Sequence, residues 1–592
     1  LSDRPVAGPG GRDLRSFGPA ALVALLTAAV FAPVLSHGFV DWDDALNFLN
    51  NPNYRGLGAA QLKWMWTTFH AGPYMPLTWM SHGLDYLLWG MDPRGYHLGS
   101  LLLHSLNASL LFLFARRLYA RVAGPAAGGS PAWTAAAALA ALVFSLHPLR
   151  AESVAWATER RDVLSGFFFL ISLLAYLRHA DGRGRASYAV SVGCFVAALL
   201  SKAAVMGMPV LLVVLDVWPL RRFAPGGVWS AENRRLWREK VPFVLAALLA
   251  AGLALHGQRQ AAALTGLEMF GLPYRVAQAA WGAVFYVRKT LVPTGLCAMY
   301  ELPYRFDLLA GRFVASFAAA ALATVAVVAW RKRHPWLAAA WFSYLALLAP
   351  VSGLAQSGMQ MAADRYSYFP GMVFALCAGG LWAAGASADG RYRRAARWGS
   401  AAVLVFALGA LARAQAGTWR DTRALWTRAL AVWPSSTAHN NLANVLMKEG
   451  DEAGAVEHYR AAVAIRPVYA DARFNLGVAL GRRGELRPAA EEFEAAARLR
   501  PDDAAARYNL GCVRLSLGEL AEADRAFAEA VRVRPDHREA WWNRGAVLLA
   551  LGRPAEAAEV YARMADLWPG DPRLPERREA ALRAAGKNAP TR

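Results

Sequence analysis

Cysteine is scarce in this 592-residue chain: Cys194, Cys297, Cys377 and Cys512 stand far apart, three of them in or near apolar runs. No CxxC or other metal-ligand spacing occurs, which excludes a disulfide framework and a cysteine metal site. There is no P-loop, GxSxG or HExxH, and no GxGxxG in a strand-to-helix setting, so the chain offers no soluble nucleotide or hydrolase site. Acidic residues are few, 43 against 64 lysines and arginines, for a net charge of +21. In a soluble protein that excess would point to nucleic acid. Here the basic residues form short clusters between apolar runs: Arg116/Arg117/Arg121, Arg178/Arg183/Arg185, Arg221 through Lys240, Arg331/Lys332/Arg333 and Arg391 through Arg397. That distribution is the positive-inside pattern of a membrane protein, and no nucleic-acid partner is expected.

What is abundant is apolar sequence, 56% of residues, at a mean hydropathy of +0.23. Runs long enough to span a bilayer, or nearly so, lie at about 17–36, 97–115, 132–146, 162–178, 187–203, 204–220, 241–256, 313–330, 336–352, 366–386 and 398–415. Eleven crossings keep every basic cluster on the inner side, with Arg12 and Arg15, and leave the C-terminal part outside. The segment 275–293 would break that parity if it crossed, so it reads as an interfacial or re-entrant helix on the outer side. The chain starts at Leu1, from which a trimmed start is expected; residues 17–36 are too long and uniform for a signal-peptide core and read as an anchor.

Polar residues concentrate in the outer loops. Phe39-Val40-Asp41-Trp42-Asp43-Asp44 follows the first apolar run and opens the first loop, 37–96, which is rich in aromatics and lies against the bilayer surface. Acids this close repel one another, and each resists ionising near a low-dielectric boundary. A cation, a substrate or a shared proton relieves that strain; otherwise Asp44 caps a helix from Ala45. A second loop carries His147, Glu152, Glu159, Arg160, Arg161 and Asp162; Lys202 and the pair Asp364-Arg365 lie on the same face. His97, Ser100, His104 and Asn107 share one helix face, for interhelical hydrogen bonding or as a groove lining. Acids and bases together at a membrane surface fit glycosyl transfer: cations hold a lipid-linked phosphate and a carboxylate takes a proton from an acceptor hydroxyl. An acidic metal site is the rival use of the aspartates.

After residue 416 the composition changes. Pro434, Pro467, Pro501, Pro535 and Pro569 recur at intervals of 33, 34, 34 and 34, in phase with Gly450, Gly484, Gly518 and Gly552 and with Asn441, Asn475, Asn509 and Asn543. A helix-turn-helix period of 34 is the tetratricopeptide signature. About four repeats occupy 435–570, with a capping helix near 572–586. Their groove suits a peptide, and the four asparagines either contact its backbone or hold each repeat together.

Six motifs then run in one order: the Phe39–Asp44 run with Asn51-Pro52; Tyr74-x-Pro76-Leu77-Thr78 with Gly95-Tyr96-His97; His147-Pro148-x-x-x-Glu152-Ser153-Val154-Ala155; Glu159-Arg160-Arg161-Asp162-Val163-Leu164; Asp216-x-Trp218-Pro219-Leu220; and Asp364-Arg365-Tyr366-x-Tyr368-x-Pro370. Over about 20–420, followed by the repeats, this order resembles the transmembrane-and-tetratricopeptide O-mannosyltransferases and their bacterial relatives, membrane glycosyltransferases of the GT-C class. The resemblance implies an all-α fold, a GT-C-like bundle of about eleven spans followed by an α-solenoid. Its expected parts are a tail at 1–16, a transferase domain at 17–416, a linker at 417–434, the repeats with their cap at 435–586 and a tail at 587–592. It implies Asp43 as base with Asp44 orienting the acceptor or a metal, Asp41 a lesser candidate, and Arg160, Arg365 and Lys202 on the donor phosphate. Glu152, Asp162 and Asp364 would orient or support those cations, and His97 and His147 either touch the donor or serve the structure. Asp216, near the inner end of its span, has a structural role. The donor would be a polyprenyl-phosphate sugar, mannose-like. A protein acceptor would be recruited by the repeats on the periplasmic side of a bacterial inner membrane. The alternatives are a membrane-anchored repeat scaffold without catalysis and, less well matched, a transporter.

Overall fold

The computed structural model describes residues 17–124, 130–224, 226–261, 271–304, 306–355, 358–385 and 390–587. The expected terminal tails lie outside them, but for Lys587 at the end of the last helix. The chain divides into two compact units, residues 1–432 and 433–592.

The first unit is a helical bundle: α1 (Phe17–Phe31), α2 (Ala59–Thr67), α3 (Pro76–Trp89), α4 (Pro93–Ala123), α5 (Pro131–Ser145), α6 (Ala151–Ala155), α7 (Arg160–Ala180), α8 (Gly184–Ser201), α9 (Met208–Val217), α10 (Arg234–Gln260), α11 (Leu272–Leu291), α12 (Gly311–Trp330), α13 (Pro335–Leu348), α14 (Pro370–Ala384), α15 (Arg391–Ala416) and α16 (Thr422–Val432). Every apolar run seen in the sequence is one of these helices. Among the described residues, seven helical stretches are long and apolar enough to cross a membrane, from Phe17–Ser36 to Arg391–Trp419. An eighth is bent by 55° between Pro131–Ser145 and Pro148–Ala155, and three more apolar helices are shorter: Ala203–Val217, Pro335–Val351 and Pro370–Ala384. The unit is that of a multi-pass membrane protein. Helix α11 is not among the spanning helices; it buries Arg275, Gln278 and Lys289 beside Trp281, Phe285 and Tyr286.

Small residues let these helices close on one another. Ala108, Ala115, Ala136, Ala137 and Ala140 form a buried seam with Phe112 and Tyr119. A Cβ on Gly207 would lie 2.0 Å from the carbonyl oxygen of Ala346, so α9 and α13 meet there backbone to backbone. The polar stripe of α4 bonds between elements. Asn107 Nδ2 donates to Val163 O at 2.7 Å, and His104 bridges Tyr368 Oη and Ser145 O, both at 3.0 Å. All four stripe residues are fully buried, so they join helices and line no groove. At the other end of α7, Asp216 bonds Tyr176, Arg222 and Lys240, a buried staple between α7, α9 and α10.

Two features escaped the sequence. A two-stranded antiparallel ribbon, β1 (Tyr300–Glu301) with β2 (Gln360–Ala362), ties the loop after α11 to the loop before Asp364. The expected linker is not one: within 417–434 lies α16, with Leu425, Trp426 and Ala429 buried in the first unit.

The second unit is four helix pairs and a cap: α17 (Ser436–Glu449), α18 (Glu452–Ile465), α19 (Ala470–Arg482), α20 (Leu486–Leu499), α21 (Ala504–Ser516), α22 (Leu520–Val533), α23 (Arg538–Ala550), α24 (Pro554–Leu567) and α25 (Arg573–Lys587). The turn glycines 450, 484, 518 and 552 have φ of 86°, 77°, 76° and 71°, a left-handed conformation that costs other residues energy. A second set lies inside the helices. A Cβ on Gly511 would meet the Phe527 ring at 2.6 Å, as Gly477 and Gly545 would meet Phe493 and Tyr561. Gly511→Val is therefore expected to destabilise this unit by about 1–3 kcal/mol through overpacking, read as a lower urea midpoint with an unchanged slope.

Candidate functional site

The site grows from the bend at 156–161. Ala157–Glu159 forms a tight turn and α7 starts at Arg160, so residues 159, 160 and 161 point in three directions. Glu159 points inward and is 0% exposed. Its carboxylate takes Arg161 Nε at 3.0 Å, Lys202 Nζ at 2.7 Å and Arg365 Nε at 3.2 Å. Lys202 also reaches Asp162 Oδ1 at 2.8 Å, and Asp162 Oδ2 accepts from Ser153 Oγ at 3.0 Å. Glu152 accepts the backbone N–H of Arg365 at 2.8 Å and pairs with its guanidinium. Three cations and three carboxylates from four chain segments thus form one network. Glu152, Asp162 and Arg365 are buried; Lys202 and Arg161 are half-buried.

Arg160, expected on the donor phosphate, does not join this network. Its guanidinium pairs with Asp85 at 2.8 Å, donates to Ser100 Oγ at 3.0 Å and bonds Tyr96 O, leaving it 2% exposed. One position along the helix, about 100° of rotation, separates this staple from Arg161. Asp364 is likewise elsewhere. It accepts from Tyr300 Oη at 2.9 Å, and burial with the neighbouring Glu152 raises its carboxyl well above the usual range. His147 accepts from Leu149 N–H at 3.2 Å and reaches Thr290 O at 3.0 Å; His97 reaches Gly38 O at 3.4 Å. Both rings hold backbone.

The three loop acids have three surroundings. Asp41 is exposed, and its backbone N–H donates to Thr422 Oγ1 at 2.8 Å. Asp44 is 1% exposed and accepts Val40 N–H at 3.0 Å, Thr158 N–H at 3.1 Å and Thr158 Oγ at 2.6 Å. It pins the acidic loop to the Ala157–Glu159 turn and makes no side-chain cap for the wide helical turn Ala45–Leu49. Burial pushes its carboxyl up to about 7. Asp43 is half-buried: burial raises its carboxyl, the nearby charges of Arg161 and Arg365 pull it back, and Glu159 pushes it up again. Under this loop Trp42 stacks on Trp156 at 4.7 Å and meets Trp426 edge-on at 5.1 Å, while Trp419 stacks on Trp156 at 5.2 Å. The Arg365 guanidinium lies over Trp156 at 5.4 Å.

Sequence reasoning passed over Glu159, Arg161, Trp156, Trp419 and Trp426 as site residues. Glu159 and Arg161 stood in a motif, but choosing between adjacent arginines needs the helix register. Among the described residues no three His, Cys, Asp or Glu side chains converge as a metal cage. Asp44 is answered by neutral donors, and Glu152, Glu159 and Asp162 by cations.

In the second unit the asparagines are half-buried. Asn475 Nδ2 donates to Asn440 and Asn444 of the preceding repeat at 3.0 and 3.3 Å, and Asn509 Nδ2 to Ala505 O at 2.9 Å. Asn543 Nδ2 lies 3.8 Å from Cys512 Sγ, and Asn441 accepts from Asn440 at 3.2 Å. Asn475 and Asn543 thus reach the preceding repeat, whereas Asn509 and Asn441 bond within their own helices.

A tetratricopeptide repeat profile matches residues 474–523 and 508–572, and a TPR repeat profile matches 443–484. Among solved structures, MamA aligns at 22% identity with a TM-score of 0.24, over 26% of this chain and 82% of MamA. Three curated relatives are protein O-mannosyl-transferases. Protein O-mannosyl-transferase tmtc2 of Xenopus laevis is 39% identical over 123 residues, 21% of this chain and 13% of the relative. Tmtc1 of Drosophila melanogaster is 34% identical over 146 residues, 25% and 16% respectively. TMTC1 of Homo sapiens is 30% identical over 191 residues, 30% and 20% respectively. The matches therefore span no more than a fifth of these relatives' length. The chain, with its multi-pass helices followed by tetratricopeptide repeats, is thus similar over these stretches to the TMTC proteins.

Proposed function

We propose that this chain is a GT-C-type glycosyltransferase that moves a sugar from a polyprenyl-phosphate carrier to a protein hydroxyl at the outer face of the membrane. The observation that carries this reading is a half-buried carboxylate, Asp43, within electrostatic reach of Arg161 and Arg365, two cations that share Glu159 with Lys202. The acceptor oxygen attacks the anomeric carbon of the sugar, and its proton passes to Asp43. The bond from that carbon to the phosphate oxygen breaks, and the leaving phosphate keeps the electron pair. Its growing charge falls to the three cations, where preorganised donors are most effective. An apolar cavity of about 240 Å³ lined by Leu111, Phe114, Leu170, Leu173, Leu215 and Met372 supports a lipid-linked donor, since it has the polarity that a polyprenyl chain requires. The repeats would present the acceptor peptide. The basic clusters between apolar runs support an outer, periplasmic site and a periplasmic repeat unit in a bacterial inner membrane. The sugar is mannose by similarity to the relatives.

Radiolabelled polyprenyl-phosphate mannose, offered to membranes that contain the chain, tests this. Label reaching protein from the wild type and not from Asp43→Asn supports transfer. No label from the wild type overturns it and leaves a membrane-anchored repeat scaffold.

A further inference from the structure

Glu159 is the one member of the network that no solvent reaches, at 0% exposure, yet it bonds all three cations. Those cations come from separate places: Arg161 from α7, Lys202 from the end of α8 and Arg365 from the turn Asp364–Ser367. Like charges do not gather unaided at a membrane surface; a buried anion between them removes the repulsion and fixes their spacing. Arg365 commits all three nitrogens, to Glu159, Glu152 and Gln360, but the other two cations still have something to offer. Arg161 commits Nε and Nη2 to Glu159, and Lys202 commits bonds to Glu159 and Asp162. Among the described residues this leaves Nη1 of Arg161 and one ammonium proton of Lys202 for a ligand. Their side chains are 16% and 15% exposed, the most open of the network's charged groups.

We propose that Glu159 is a positioning residue that holds the uncommitted donors of Arg161 and Lys202, with the charge of Arg365 behind them, as one cradle for the phosphate of a lipid-linked ligand. This rests on the transferase reading above and extends it to a residue that never touches substrate. Glu159 sets the spacing of the donors, and the cations do the binding.

The test is a binding measurement on the purified full-length chain in nanodiscs, independent of turnover. A polyprenyl monophosphate is titrated while tryptophan fluorescence is followed, since Trp42 and Trp156 lie under Arg365. The parent polyprenol, without phosphate, is titrated in parallel. Glu159→Gln is expected to weaken the phosphate ligand at least tenfold while leaving the polyprenol unchanged, a split that a general packing defect would not produce. Lys202→Gln, at the rim, is expected to weaken the phosphate ligand similarly and carries the test if Glu159→Gln does not fold. Inorganic phosphate is expected to displace the lipid phosphate. A folded Glu159→Gln or Lys202→Gln chain with wild-type affinity overturns the cradle, as does failure of inorganic phosphate to compete. Loss of polyprenol and phosphate ligand alike assigns Glu159 to packing and also overturns it. No binding of polyprenyl phosphate by the wild type overturns the transferase reading together with the cradle.

Discussion

Asp43→Asn is expected to reduce sugar transfer at least a hundredfold while the purified chain stays folded. A positioned general base contributes about 10²–10⁴-fold in rate, and the amide keeps the shape of the side chain while losing its basicity. The choice of Asp43 over its neighbours comes from geometry. Asp44 is sealed and already accepts three hydrogen bonds, whereas Asp43 is half-buried and feels the charges of Arg161 and Arg365. Burial raises the Asp43 carboxyl, which makes it a stronger base than an ordinary aspartate once deprotonated. The sign follows: the base form is lost as pH falls, so transfer rises with pH through a midpoint above the usual aspartate range. Because Arg161 lowers that midpoint, Arg161→Gln moves it further up. Initial rates across pH for the wild type and both variants decide the matter. A flat profile, or an active Asp43→Asn enzyme, places the base on another residue.

The second large effect is on stability. Arg365→Ala removes the guanidinium shared by Glu152 and Glu159 and leaves buried carboxylates short of a partner. Breaking a buried pair from one side costs about 3–5 kcal/mol, a large part of the roughly 5–15 kcal/mol that holds a typical domain. The expected outcome is a strongly lowered unfolding temperature in detergent and poor yield. Arg365→Lys recovers part of this, since an ammonium cannot serve two carboxylates and lie flat over Trp156 at once. An Arg365→Ala chain that melts with the wild type would show that the network contributes little to the fold.

The parts of the molecule that were readable in the sequence are those with a period or a length. The apolar runs became helices because a bilayer demands about twenty apolar residues. The repeats were readable because glycine and proline recur in phase, and the reason is now visible in Gly511 against Phe527. Position alone also grouped Lys202, Glu152, Asp162 and Arg365. The division of labour between Arg160 and Arg161 was not readable, because it depends on a helix start that only the 156–161 bend establishes. Nor was α16: its contacts to the acidic loop, Trp426 on Trp42 and Thr422 on Asp41, join residues about 380 positions apart and leave no local trace.

That helix has a practical consequence for cutting the molecule. A fragment of the membrane part that stops where hydrophobicity stops, at Ala416, discards Trp419, Trp426 and Thr422, and with them the support beneath the Asp41–Asp44 loop. A stop codon after Trp433 keeps all three. The shorter product is expected to lose the acidic loop's protection from proteolysis while the longer one retains it, so an inactive fragment ending at 416 would say nothing about whether the repeats are needed for chemistry.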